Sequence, residues 1–202
     1  MKVKLASVAA RLNKQVRSRR RGLPFLFFFT DEARMDDPRM IARKLPRGTG
    51  IVLRHYGVSD RAVLARDLSQ IARARNLVLF IAGDPKLATA VGAAGVHWPE
   101  GRLPARHDYG IRLWISAAAH SPRAILRARR MGAHAVFVSP LFPTRSGAEK
   151  KPIGPLKFGQ WSRAAGLPAY ALGGINGDNA RRLMGTGAAG VAAIGAFVGD
   201  EK

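Results

Sequence analysis

The amino-acid sequence predicts an α/β fold, a single closed (β/α)8 or TIM barrel with a basic helical extension at its N-terminus. Eight short runs of apolar residues recur along the chain, and most are followed by a stretch with helical character. Successive residues within the runs are apolar, a pattern typical of parallel strands that are buried on both faces. The extension comprises residues 1–23 and the barrel domain residues 24–202, an ordinary size for one domain.

The predicted strands follow one another at short intervals. The first run, FLFFFTD, ends in Thr-Asp, and the third, LVLFIAGD, ends in Gly-Asp. The fourth, GVHW, is the shortest. The eight predicted strands occupy residues 25–31, 50–55, 77–84, 95–98, 111–117, 135–140, 168–174 and 190–197.

Helical stretches separate most of these strands, and several carry start and stop signals. Ser59 and Asp60 are N-cap candidates, and Ser121 with Pro122 marks another helix start. Glycine in Gly-Ala or Gly-Thr-Gly sequences ends the stretches before the fourth, sixth and eighth strands. The stretches cover residues 32–45, 59–75, 85–93, 121–133, 156–166 and 176–187.

The number of strand-then-helix units decides between two α/β architectures. A doubly wound open sheet usually needs only about five or six strands, so eight units favour the closed barrel. The segment 140–155, rich in Gly and Pro, is the one long predicted loop. Long loops in compact domains are usually functional, so we expect this segment to take part in a site.

Positive charge dominates the composition. The chain has 34 Lys and Arg residues against 13 Asp and Glu residues, a formal net charge of +21. Such a charge favours anionic partners, which are nucleic acid, an anionic membrane surface or phosphorylated small molecules. The alternative is that Arg, Ala and Gly are over-used throughout the chain, as a coding bias would produce. Nucleic acid is less favoured, because the basic residues are spread along the whole chain without an aromatic-interleaved motif. No apolar run is long enough to span a bilayer, so we expect no membrane partner.

Cysteine is absent, which excludes disulfides, thiolate catalysis and cysteine metal sites and suits a reducing compartment. We therefore expect a cytoplasmic protein. The first 22 residues carry eight Lys or Arg and no acid, without the apolar core of a secretory signal. An organelle presequence has a similar composition, but a basic helix packed on the barrel floor is the favoured interpretation. Whether the protein is a monomer or a homo-oligomer stays open.

Glycines at the ends of the last two strands predict a phosphate site. In barrel enzymes, the loops after strands seven and eight commonly bind phosphate through backbone N–H groups. Gly173 and Gly174 leave the seventh strand, and Gly195 and Ala196 leave the eighth. A residue without a Cβ atom lets the backbone approach phosphate oxygens closely. The alternative is that these glycines only permit tight turns and close helix packing.

Motifs at the strand ends carry a family resemblance. They are LFFFTD, VLRHY, FPTRSG, ALGGIN and AAGVAAIGAF, supported by LFIAGDPKLATAVGAAGVHW and SAAAHSPRAILRARRMGAHAVFVSPLFPT. In their order along the chain they resemble the thiamine-phosphate synthase family, which includes the related thiazole tautomerases, over residues 24–198. The resemblance implies an enzyme of thiamine biosynthesis. Such an enzyme joins a pyrimidine methyl diphosphate to a thiazole phosphate and releases pyrophosphate with Mg²⁺.

The resemblance implies a thiazole phosphate site, and this sequence keeps it. Gly173 and Gly174 match the family's pair after strand seven, and Thr144 and Ser146 match hydroxyls that contact phosphate after strand six. Gly195 stands where the family usually has serine. At that position the backbone N–H remains and one hydroxyl donor is lost.

The implied diphosphate site departs from the family pattern in the second strand. The family usually offers Gln, Arg and Lys at alternating positions. Here those positions hold Val52, Arg54 and Tyr56, so only the arginine remains. Arg54 is therefore the implied catalytic cation for the diphosphate.

The implied Mg²⁺ site departs further. The family's third strand ends in Asn-Asp with the Asp on the metal; here Gly83 replaces the Asn and Asp84 remains. A second metal carboxylate is replaced by Arg102, with Glu100 two residues earlier. Because Mg²⁺ prefers carboxylate oxygens, the site depends on Asp84 and on compensation by Glu100. Alternatively, Arg54 and Arg102 supply part of the positive charge without a metal.

His120, just past the fifth predicted strand, resembles the histidine that thiazole tautomerases use for proton transfer. The imidazole of a histidine suits general acid–base catalysis, and the alternative is a role in positioning the loop. Three functions stay open. They are a thiamine-phosphate synthase that uses Arg54 and Asp84, a tautomerase-like isomerase that uses His120, and an inactive family member that binds a phosphorylated ligand.

Overall fold

The computed structural model of the chain describes residues 2–15, 22–105, 113–144 and 151–198. Eight parallel strands pair in chain order and close into a barrel, with the last strand beside the first. The strands are β1 Leu26–Phe29, β2 Gly50–Leu53, β3 Val78–Ala82, β4 Gly95–Trp98, β5 Trp114–Ala119, β6 Ala135–Val138, β7 Ala169–Ala171 and β8 Gly190–Ala193. The predicted (β/α)8 barrel is confirmed, and each strand overlaps a predicted one.

Helices cover the outside of the barrel. They are α1 Lys2–Gln15, α2 Pro38–Ala42, α3 Arg61–Arg75, α4 Pro85–Ala90, α5 Pro122–Arg130, α6 Gly154–Ala164 and α7 Gly195–Val198, with 3₁₀ turns at Glu100–Arg102 and Ala180–Leu183. No helix in the described ranges is long and apolar enough to cross a membrane.

Side-chain caps followed by proline start three of the helices. Asp37, Asp84 and Ser121 each accept a hydrogen bond from a backbone N–H in the first turn of α2, α4 and α5. The predicted Ser121 cap is thereby confirmed. Asp60 occupies the N-cap position of α3 as predicted, but its side chain makes no capping hydrogen bond.

Aromatic rings packed against glycines fill the barrel interior. The Phe27 ring centroid lies 5.6, 4.9 and 5.2 Å from the rings of Phe80, Phe137 and Tyr170. A Cβ atom on Gly50 would lie 2.2 Å from the Phe27 ring, so the neighbouring strand needs glycine at that place. The interior is therefore a packed core, as is usual in this architecture.

Most predicted elements are shorter in the structure, and the predicted helix 176–187 is only the 3₁₀ turn Ala180–Leu183. Two of the differences bear on the site. The predicted strand 190–197 ends at Ala193, and the apolar residues that follow form α7 instead. The predicted helix 32–45 is reduced to α2, because the Asp37 cap and Pro38 start it late. Both differences lie at the carboxyl ends of strands, where the loops of the site begin.

α1 packs on the flank of the barrel, so the predicted position on the floor is wrong. The helix contacts β1, β8 and the 3₁₀ turn 180–183. The Lys4 ammonium bonds Asp178 in the loop after β7, and the Gln15 side chain accepts a hydrogen bond from Gly185 N at 3.2 Å, before β8. The buried face of α1 consists of Leu5, Val8, Ala9 and Leu12. The division of the chain into an extension and a barrel domain stays a prediction.

Candidate active site

Two adjoining cavities lie at the carboxyl end of the barrel. The β7–β8 cavity has a volume of about 450 Å³, and its lining includes Arg34, Thr144, Gly173, Gly174, Gly195 and Ala196. The central cavity has a volume of about 470 Å³, and its lining includes Arg54, Tyr56, His97, Glu100, Arg102 and His120. Thr144, Leu172, Gly173 and Ile194 line both cavities. A ligand in one cavity would therefore lie directly beside a ligand in the other.

Gly173 and Gly174 pass so close to the loop after β6 that no other residue fits. Their φ angles are +93° and +64°, in the region that disfavours side chains. A Cβ atom on Gly174 would lie 2.2 Å from the carbonyl oxygen of Pro143, and one on Gly173 would lie 2.9 Å from Cα of Pro140. The tight-turn interpretation thus describes these glycines correctly, and the turn also brings their backbone to the β7–β8 cavity.

The backbone around this cavity presents donors to a ligand. Within the described residues, the four N–H groups predicted to bind phosphate have no hydrogen-bond acceptor; they belong to Gly173, Gly174, Gly195 and Ala196. The carbonyl groups of the glycine pair are taken up by the protein. Gly173 O accepts from Phe142 N at 3.0 Å, and Gly174 O accepts from Asn179 Nδ2 at 2.7 Å. Free donors and satisfied acceptors suit the binding of an anion.

Three further side chains concern the phosphate site. Thr144 lines both cavities, at the predicted place after β6. Ser146 lies outside the described residues, so its role stays a prediction. Arg34 lines the β7–β8 cavity and adds a cation that sequence reasoning missed, because residues 32–45 read as one helix. A basic residue shortly after the first strand was the available signal.

Arg54 extends from the end of β2 into the central cavity. Its backbone N–H donates to the Thr30 hydroxyl at 2.9 Å, and its guanidinium lies 3.7 Å from the Asp31 carboxylate. Tyr56, which follows two residues later, lines the same cavity, and burial raises the pKa of its hydroxyl. The arginine predicted to contact diphosphate is therefore held at the cavity with its guanidinium partly exposed.

His120 lines the central cavity from the loop after β5. Its Nδ1 lies 2.7 Å from the carbonyl oxygen of Ser139, which can only accept, so Nδ1 carries a proton. In the neutral ring Nε2 is then the basic nitrogen. The His120 backbone N–H donates to the Glu100 carboxylate at 2.8 Å, which fixes the loop. This arrangement suits a proton acceptor, and the predicted catalytic role stays a prediction.

His97 forms part of the apolar floor of the central cavity. Its ring packs edge-on against Phe29 and Phe137 at centroid distances of 5.1 and 5.4 Å, and Nδ1 lies 3.1 Å from the Ser116 hydroxyl. Burial lowers the pKa of His97 to about 3, so the ring is neutral at physiological pH. The residue acts as a core histidine with a satisfied hydrogen bond.

The acids nearest the implied Mg²⁺ site are engaged by protein groups. Asp84 Oδ1 accepts from Leu87 N at 2.9 Å, and its Oδ2 lies 3.5 Å from the Arg61 guanidinium. Glu100 holds the His120 loop. Asp84 lines neither cavity, and the described residues contain no group of three His, Asp or Glu placed to hold a metal. This donor set does not fit Mg²⁺, and the metal role of Asp84 stays a prediction.

Comparisons with known proteins agree with this geometry. The thiamine-phosphate synthase of Chlorobium limicola is 35% identical over 181 residues, which cover 86% of this chain and 85% of that protein. A putative thiamine-phosphate synthase 2 of Aquifex aeolicus is 30% identical over 183 residues, 87% of this chain and 98% of that protein. The solved structure of thiamine phosphate pyrophosphorylase from Pyrococcus furiosus superposes with a TM-score of 0.74 at 26% identity, covering 89% of each chain. A sequence model of thiamine monophosphate synthase matches residues 26–197, and the chain belongs to that family.

Proposed function

We propose that this protein is a transferase that makes thiamine phosphate from a pyrimidine methyl diphosphate and a thiazole phosphate. The thiazole nitrogen forms a bond to the pyrimidine methylene carbon. The bond from that carbon to the diphosphate oxygen breaks, and its electron pair leaves with pyrophosphate. We expect the reaction to take place in the cytoplasm, since the cysteine-free chain suits a reducing compartment.

The observation that carries this proposal is the pair of cavities with a shared wall. The β7–β8 cavity offers free backbone N–H groups and the Thr144 hydroxyl, which suit the single phosphate of the thiazole. The central cavity offers Arg54 beside an apolar floor that includes Phe29 and Leu172, which suits a pyrimidine ring with its diphosphate. Because Thr144 lines both cavities, the two substrates would meet at that wall.

Each half of the site has a physical task in this reaction. The backbone donors fix the thiazole phosphate, so that the ring nitrogen is held toward the central cavity. The Arg54 guanidinium stabilises the charge that develops on the departing diphosphate. The packed aromatic core below the site excludes water from that side, which protects the reacting methylene carbon from hydrolysis.

Product formation from the two substrates tests the proposal directly. The purified protein, given both substrates at millimolar concentration with Mg²⁺, should form thiamine phosphate and pyrophosphate in equal amounts, measured by mass spectrometry and a coupled pyrophosphate assay. Arg54→Ala should lower kcat/KM at least about tenfold, because one charge-assisted contact to the leaving group is lost. Arg66→Ala, an exposed change on α3 outside both cavities, is the matched control. If neither assay detects a product, the synthase function is refuted.

The hydrogen bond at Nδ1 of His120 favours one second candidate, an isomerase of a thiazole phosphate. A neutral ring with its proton on Nδ1 leaves Nε2 able to accept a proton from a bound ligand. His120→Ala should then abolish isomerisation while the affinity for the thiazole phosphate changes less than about twofold. If the wild-type protein leaves the thiazole phosphate unchanged in NMR spectra, this candidate is eliminated.

A further inference from the structure

Guanidinium groups converge on one tyrosine at the rim of the central cavity. The central carbon atoms of the Arg61 and Arg102 guanidiniums lie over the Tyr56 ring, at 5.5 and 5.7 Å from its centroid. Arg54 and Arg102 both line the central cavity beside Tyr56. The ring therefore holds Arg102 near the cavity through a cation–π contact while its charge remains available.

Two of the three arginines around Tyr56 form an ion pair with an acid. Arg54 has Asp31 at 3.7 Å, and Arg61 has Asp84 at 3.5 Å. Arg102 forms no ion pair within the described part of the chain, although Glu100 is only two residues away. The reason is that Glu100 accepts from the His120 backbone at 2.8 Å instead. An unneutralised cation beside another arginine at a cavity is a place for an anion.

From this geometry we propose that the central cavity binds the diphosphate, and later pyrophosphate, through Arg54 and Arg102 in place of a bound Mg²⁺. The inference rests on the proposed function and assigns this chain's own way of holding the leaving group. Two guanidiniums can each donate paired hydrogen bonds to phosphate oxygens. They cannot ligate a metal, and their charge repels one.

The positions of the two arginines agree with this role. Arg54 directly follows β2 and Arg102 lies in the 3₁₀ turn after β4, so they approach the cavity from different elements. Thr144 and Gly173 connect the central cavity to the β7–β8 cavity, so a diphosphate at the arginines lies beside the thiazole phosphate site. Fixed positive charge at this place stabilises the leaving group without a metal shell that must be assembled first.

Pyrophosphate binding to the whole protein, measured by titration calorimetry at constant ionic strength, tests the inference without catalysis. The wild-type protein should bind pyrophosphate in EDTA. Added Mg²⁺ should not lower the dissociation constant, after correction for the pyrophosphate that Mg²⁺ itself complexes in solution. Arg102→Ala should weaken binding at least about tenfold, whereas Arg102→Lys should recover part of it. Arg66→Ala, which removes one exposed charge of the same sign, should leave the affinity within about twofold.

Two results would overturn the inference. One is pyrophosphate binding that disappears in EDTA and returns with Mg²⁺. The other is an Arg102→Ala protein, shown to be folded by its thermal melting, that binds like Arg66→Ala. Neither result touches the synthase function, which depends on product formation. Conversely, metal-independent binding by a protein that forms no thiamine phosphate would support the arginine site and refute the synthase.

Discussion

The substitution Gly174→Ala tests whether the turn after β7 positions the phosphate site. A Cβ atom at this residue would lie 2.2 Å from the Pro143 carbonyl oxygen and 2.8 Å from that of Phe142. Ordinary contacts begin at 3.4 Å, so the loop after β6 must move by about 1 Å. That loop carries Thr144, which lines both cavities. The displacement therefore acts on both substrate positions.

The expected magnitude has two parts. The φ of Gly174 is +64°, and placing alanine there costs about 1–2 kcal/mol of unfolding free energy. Forcing the loop aside adds about 1–3 kcal/mol, as overpacking of a close contact does. A displacement of about 1 Å near the reacting groups lowers kcat/KM by up to about 100-fold. We expect Gly174→Ala to show both losses.

Gly48→Ala separates the two parts. Gly48 has a φ of +76°, and its Cβ would meet nothing within 4 Å. Gly48→Ala should lower the unfolding free energy by only the backbone contribution of about 1–2 kcal/mol and should keep full activity. The assays are urea unfolding, calorimetry with inorganic phosphate, and thiamine phosphate formation. If Gly174→Ala matches Gly48→Ala in all three, the reasoning about the turn is wrong.

Three other expectations concern the core and the caps. Burial lowers the pKa of His97 to about 3, so protonation of this ring opposes folding. The stability that depends on the neutral ring is complete above about pH 6.5 and falls by about 2 kcal/mol by pH 5. In urea unfolding, His97→Asn should lose less stability than the wild-type protein between pH 7.5 and 5, and an equal loss would contradict this. Asp84→Ala should lower the unfolding free energy by about 1 kcal/mol because the cap of α4 is lost, whereas Asp84→Asn should lower it by less than about 0.5 kcal/mol. Equal unfolding midpoints for the two variants would contradict the capping role. Phe27→Ala should destabilise by about 3–5 kcal/mol in chemical unfolding because three rings lose their common partner, and a loss under about 1 kcal/mol would mean that the interior repacks.

The strands were predictable because burial on both faces leaves an unbroken apolar run. Such runs do not show where a strand ends if apolar residues continue beyond it. After Ala193 the run continues through Ala196 and Phe197, which are buried as part of α7. Helix and strand satisfy the same burial there, so the sequence pattern could not separate them.

The phosphate site was more predictable than the diphosphate site. A glycine pair in a fixed place after β7 depends on backbone geometry, which leaves a clear trace in the sequence. The central cavity depends on long side chains from several loops. The contact of Arg102 with Tyr56 joins residues far apart in the chain, and Arg34 approaches the other cavity from a loop without periodicity. No local sequence pattern predicts contacts between residues that are so far apart in the chain.

The place of α1 has a consequence for processing of the chain. Its apolar face belongs to the same hydrophobic cluster as the barrel wall, and its Lys4 contacts Asp178, which lines the β7–β8 cavity. If a protease cut the chain between α1 and β1 and the helix dissociated, apolar surface on β1 and β8 would become exposed to solvent. Loss of α1 would therefore weaken the barrel itself, because this helix forms part of its outer layer.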